Sequence, residues 1–182
     1  MWFRRSNRFD EILREYVDGD FSVFAAGDNA PSDSVVGGFE TSLGYGLPED
    51  FREFSTSRLG GVYIAVKEEL WPRPKEFSVG PFWSFLYGVM AYGFGAEIPE
   101  EMDMRIQTSK FKEATRTALA PFFKVIGDAD VYCFDENQKI RRWDHEIGQA
   151  KMIEKTFTEV FAYEVAELRK RKDRKLAESK TA

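Results

Sequence analysis

The amino-acid sequence predicts a single α+β domain, and three observations carry that expectation. Leu43 to Val66 packs a helix stop, a short helix, a glycine break and an apolar, β-branched run into one short stretch. Apolar residues at helical spacing mark both ends of the chain. Between them lie short strand-like runs, Phe122 to Ile126, Val131 to Phe134 and Lys139 to Trp143, the last two joined by the turn residues Asp135-Glu-Asn-Gln. At 182 residues, without a linker or an internal repeat, the chain has the length of one domain with a sizeable core. The 17 phenylalanines make that core aromatic.

Taken in order, Phe9, Ile12, Leu13, Tyr16 and Val17 share one helical face, with Asn7 as cap and Gly19 as stop. Phe21 to Ala26 is apolar and ambiguous, and Gly27 to Asp33 is a loop. A helix over Ser34 to Leu43 turns Val36, Phe39 and Leu43 inward. Its Gly37-Gly38 pair suggests close approach of another backbone. Gly44 and Gly46 suit a helix stop, Pro48 opens the next helix, and Phe51 and Phe54 share its buried face. Gly60-Gly61 then launches a strand over Val62 to Val66.

Lys67 to Glu76, with Trp71-Pro72-Arg73-Pro74, is an extended loop. Phe77 to Gly95 fits either strands with a bulge or a short buried helix. Its aromatics fit a core better than a ligand pocket or partner surface. Ser109 to Ala118 reads as a helix closed by Pro121. A last long helix places Ile153, Phe157, Val160, Phe161, Glu164 and Leu168 on one side. The domain is expected to span residues 1–172, with residues 173–182 a frayed basic and polar tail.

Composition excludes several functions. One cysteine, Cys133, and one histidine, His145, leave no disulfide framework and no zinc site of clustered Cys and His. A reducing, cytoplasmic setting fits, and the start Met1-Trp2-Phe3-Arg4-Arg5 lacks a signal-length apolar run. A net charge of -5, carried by the body ahead of a basic run from Arg169 to Lys175, argues against direct nucleic-acid binding and suits a basic protein partner. No membrane span is expected.

Catalytic motifs are sparse. Phosphate-binding loops and nucleophile elbows are missing, and Cys133 in Val-Tyr-Cys-Phe reads as a small buried hydrophobe. Trp143-Asp144-His145-Glu146 is the most suggestive polar cluster. Its bland reading, a hydrogen-bonded structural histidine, outweighs a proton-transfer role with Asp144 or Glu146. Glu97, Glu100, Glu101 and Asp103 lack the glycine and spacing of a calcium loop, and are either a solvated face or a docking patch for a basic partner. No metal or cofactor is expected.

Phe39-Glu40, Leu43-Gly44, Leu47-Pro48, Phe51, Phe54 and Gly60-Gly61, followed by Gly127-Asp128, Asp130-Val-Tyr-Cys-Phe-Asp and Trp143-Asp-His-Glu, together resemble the SUKH superfamily. That superfamily includes the fungal cell-wall assembly regulator and many bacterial immunity proteins. The resemblance runs from about Ser34 to Leu168. It implies a central, curved, mainly antiparallel sheet flanked by helices, no catalysis, and structural roles for Gly44, Leu47, Pro48, Phe54, Gly60, Gly61, Asp130, Trp143, His145 and Glu146. It further implies a cytoplasmic immunity protein, a monomer or weak homodimer, that neutralises a cognate toxin of nuclease or deaminase type. Glu97, Glu100, Glu101 and Asp103 are then the candidate contacts. The alternative is a regulatory scaffold for cell-envelope or signalling proteins.

Overall fold

The computed structural model describes residues 7–75 and 79–181. The described chain runs α1 (Arg8–Tyr16), β1 (Phe21–Ala25), α2 (Asp33–Leu43), α3 (Glu49–Ser55), β2 (Val62–Val66), β3 (Gly88–Ala91), α4 (Met104–Thr115), β4 (Ala120–Val125), β5 (Val131–Phe134), β6 (Ile140–Asp144), β7 (Gln149–Ile153) and α5 (Phe157–Thr181). Its seven strands form one sheet in chain order, and every strand pairing is antiparallel. This is the expected single α+β domain. Among the described residues, no strand pairs with the outer edge of β1 or of β7.

Strand alternation divides the sheet into two faces. Register puts Val66, Ile64, Val89, Val125, Phe123, Tyr132, Phe134 and Ile140 on one face, and Tyr63, Met90, Lys124, Val131, Cys133 and Trp143 on the other. The first face meets α1, α3 and α5 through a cluster of rings. Phe51 lies 4.9 Å from Phe157 and 5.0 Å from Phe134, while Phe9 lies 5.2 Å from Phe54. A bulge between Pro121 and Phe123 turns two consecutive aromatics toward this core, so that Phe122 stacks on Phe134 at 3.9 Å while Phe123 meets Phe161 at 6.2 Å. The opposite face is partly covered by α4, whose Phe111 packs edge-on against Trp143 at 5.5 Å.

Local signals worked where they are chemical. Asn7 caps α1 by accepting from the Asp10 N–H at 2.8 Å, and α2 ends on Gly44 at φ 88°. Thr156 and Glu159 exchange hydrogen bonds of 2.7 and 3.2 Å in a capping box at the start of α5. Asp50, at the head of α3, accepts from the backbone and hydroxyl of Thr158 and ties α3 to α5.

Several expectations need correction. α1 stops at Tyr16 with Val17 extended, so Gly19 lies in the following turn rather than at the cap. Gly46 does not share the positive φ of Gly44, and Gly37 and Gly38 face open space instead of another backbone. α4 begins at Met104 and ends where Arg116 turns left-handed, which leaves Pro121 inside β4 at the bulge. Ile153 belongs to β7, a strand the sequence pattern does not reveal. Of the Phe77 to Gly95 stretch, the described part is a 3₁₀ turn, Phe82–Phe85, then β3; Phe77 and Ser78 lie outside the described residues, as do Glu76, the end of the expected loop, and Met1 to Arg5.

α5 runs on through Thr181, past the boundary at residue 172 that the sequence suggests. Its basic run docks on the chain just before β1. Lys172, with its side chain 3 % exposed, places Nζ 2.8 Å from Asp20, 2.9 Å from Asp173 and 3.3 Å from Asp18. Arg169 reaches Asp18 at 3.1 Å and the Tyr16 carbonyl at 3.3 Å. These cations are spent on internal carboxylates.

The β5–β6 hairpin carries a pH dependence. Asp135 accepts from the N–H groups of Asn137 and Lys139 and from Arg141 Nε at 2.8 Å. Burial alone would raise its carboxyl, but Arg141 and the two amides outweigh burial and hold it below the usual carboxylate range. A depressed carboxylate contributes stability that is complete above its unfolded pKa, about 3.9, and lost as pH falls through the folded value. Unfolding free energy should therefore drop below about pH 4. Asp135→Asn should cost about 1–3 kcal/mol at pH 7 and flatten that acid limb in urea titrations at several pH values.

Candidate functional site

The expected contact residues separate on inspection. Asp103 is not available to a partner: its carboxylate caps α4 by accepting from the Arg105 N–H at 2.8 Å and pairs with the Arg105 guanidinium at 2.5 Å. Burial opposes its charge, but the hydrogen bonds from Arg105 keep it below the ordinary range. Glu97, Glu100 and Glu101 remain exposed on the connection from β3 to α4. Glu97 accepts from Asn29 Nδ2 at 2.6 Å and shares a 120 Å³ notch with Phe24, at the end of β1. Asp28 is exposed beside Asn29.

The acidic loop thus borders an edge strand. Lys67 donates to the Asp20 carbonyl at 2.8 Å and Ala26 donates to the Gly61 carbonyl at 3.1 Å. Antiparallel alternation then turns the backbone of Ser22 and Phe24 toward β2 and that of Val23 and Ala25 outward. Among the described residues, no strand covers this edge. Val23 and Phe24 are 45 % and 44 % exposed, and Phe21 to Ala26 carries no charge. A bare apolar edge of this kind is a template for another chain.

The motif residues form two groups. Gly44, Leu47, Pro48, Phe54, Gly60 and Gly61 build the corner from α2 through α3 to β2, where the Leu47 N–H donates to Glu40 Oε1 at 2.7 Å and Glu40 also pairs with Arg52. Asp130, Trp143 and His145 gather at the far side of the sheet. Asp130 accepts from the His145 N–H at 3.2 Å and stands 3.1 Å from its Nδ1, while Arg142 reaches Asp130 at 3.3 Å and Asp128 at 2.9 Å. Glu146 does not join them; its backbone closes the β6–β7 turn on Asp144.

Cys133 is fully buried, and burial pushes its thiol up, away from the reactive thiolate. Among the described residues, no group of three His, Cys, Asp or Glu could hold a metal ion, and no helix is long and apolar enough to cross a membrane. Sequence reasoning passed over the β1 edge and Tyr45, whose hydroxyl donates to the Ala118 carbonyl at 2.6 Å. The uncharged run from Phe21 to Ala26 was a usable signal for the first; for the second there was none. No family model matches the chain, and no curated protein matches it significantly.

Proposed function

We propose that this protein is a non-enzymatic immunity protein of the SUKH type, which binds a cationic toxin domain of nuclease or deaminase class in the cytoplasm and occludes its active site. The observation that supports this reading best is the pairing of an open, apolar β1 edge with the exposed carboxylates of Asp28, Glu97, Glu100 and Glu101. A strand of the toxin adds to β1 through the outward backbone of Val23 and Ala25, with Phe24 as the aromatic anchor. The carboxylates complement a surface made basic for phosphate binding and speed encounter. Internal pairing of the α5 cations supports the same view, since Arg169 and Lys172 cannot offset that acidic end.

The test is co-expression with the toxin encoded beside this gene, followed by binding measurements on the purified pair. The expected result is rescue of growth and a tight complex. Changing Glu97, Glu100 and Glu101 together to lysine should weaken it about 10- to 100-fold, chiefly by slowing association and with less effect at high salt. Val23→Pro removes an outward N–H without touching the β1–β2 ladder and should weaken binding at least about tenfold. Failure of every neighbouring toxin to be rescued or bound overturns the proposal.

A further inference from the structure

A second feature lies on the other side of the molecule. A cleft of about 300 Å³ opens between α4 and the sheet face opposite the aromatic core. Its walls include the edge-on pair Phe111 and Trp143, and its rim carries Lys110 from α4 and Lys124 from β4. No carboxylate lines it, although the chain as a whole has a net charge of -5. Neither lysine has an ion-pair partner among the described residues. Two ammonium groups with no carboxylate in the lining give the cleft a local positive charge.

Two polar groups add direction. Tyr92, 5 % exposed, reaches the cleft from the end of β3, and its hydroxyl has no hydrogen-bond partner among the described residues. Burial pushes that phenol up, so it stays protonated and able to donate. His145 borders the cleft with its ring held by Asp130. The volume is at the lower end for small-molecule sites and is too small for a dinucleotide. A flat ring can pack on Trp143 and Phe111, and an anionic group can then take up the charge of the two lysines.

We propose that this cleft binds a small organic anion carrying a flat ring, with the ring against Trp143 and Phe111, the phosphate or carboxylate on Lys110 and Lys124, and the Tyr92 hydroxyl as a further donor. The site shares no residue with the β1 edge or the acidic loop, so its occupancy is separate from toxin binding and its test needs no toxin. The full chain, labelled for NMR, is titrated with phenyl phosphate, benzoate and inorganic phosphate to about 10 mM, a range that detects millimolar affinity.

The expected result is saturable shifts centred on the Trp143 indole and the Val131 amide, with phenyl phosphate or benzoate binding at least about fivefold tighter than inorganic phosphate. Which of the two binds better tells phosphate from carboxylate. Lys110→Gln and Lys124→Gln should each weaken binding about tenfold while leaving the thermal midpoint within a few degrees, because both side chains lie at the rim. The proposal is overturned by no saturable shift, by an equal response to inorganic phosphate, by shifts centred elsewhere, or by lysine variants that bind as the parent does.

Discussion

Phe51→Ala is expected to lower the unfolding free energy by about 3–5 kcal/mol, a large share of the roughly 5–15 kcal/mol that holds a domain of this size. Phe51 is fully buried, and its ring lies within 6.1 Å of four others, Phe54, Phe122, Phe134 and Phe157. Those four come from α3, two adjacent strands and α5, so the side chain is the joint between the helical layer and the sheet. Removing it forfeits the transfer energy of a phenyl ring and leaves a cavity that rigid neighbouring rings cannot close. Phe51→Leu, which keeps most of the volume, should cost about 1–1.5 kcal/mol. Urea denaturation of both variants checks the pair. A Phe51→Ala loss below about 1.5 kcal/mol would show that the rings repack around the gap.

Phe51 was legible because the physics that buries it is local: two aromatics at helical spacing behind a proline and an acidic first turn. The Asp135 hairpin and the Asn7 cap were legible for the same reason. What the sequence hid depends on partners distant in the chain. β7, reading Gln-Ala-Lys-Met-Ile, buries none of its residues fully and is held by the ladder that β6 offers it. Asp103 reads like its acidic neighbours, and only the start of α4 at Met104 and the reach of Arg105 make it a cap. Lys172 sits in a run that looks like a solvated tail, yet the turn before β1 supplies Asp18 and Asp20 from the opposite end of the chain. The candidate docking edge was half visible, as an uncharged apolar run whose edge position only the sheet order defines. The cleft between Lys110 and Lys124 was not visible at all, since its two cations and two rings come from three separate elements.

Gly93→Ala should be among the most damaging single methyl groups in the described part of this chain, costing at least about 3 kcal/mol, at the upper end of overpacking effects. A Cβ at Gly93 would lie 2.4 Å from the Gly61 N and 2.5 Å from the Gly60 carbonyl, both backbone atoms that cannot swing aside. One at Gly60 would lie 2.0 Å from the Ser55 carbonyl oxygen. The α3–β2 corner and the end of β3 are therefore stacked backbone on backbone, which is the physical content of the Gly60-Gly61 motif. Gly93 also donates to the Met102 carbonyl and accepts from the Met104 N–H, both at 2.9 Å, so pushing it outward pulls on the start of α4 and on the loop bearing Glu100 and Glu101. Gly37→Ala supplies the contrast: its Cβ would meet nothing within 4 Å, and the same methyl in a helix interior should stabilise by about 0.5–1 kcal/mol. Gly60→Ala and Gly93→Ala combined should depart from the sum of their separate costs, because the first moves the Gly60 backbone that the second presses on. Thermal melts of the two single variants and the double variant measure that coupling. Additive losses would mean that the two glycines serve separate contacts, and that the corner and the acidic loop are not one mechanical unit.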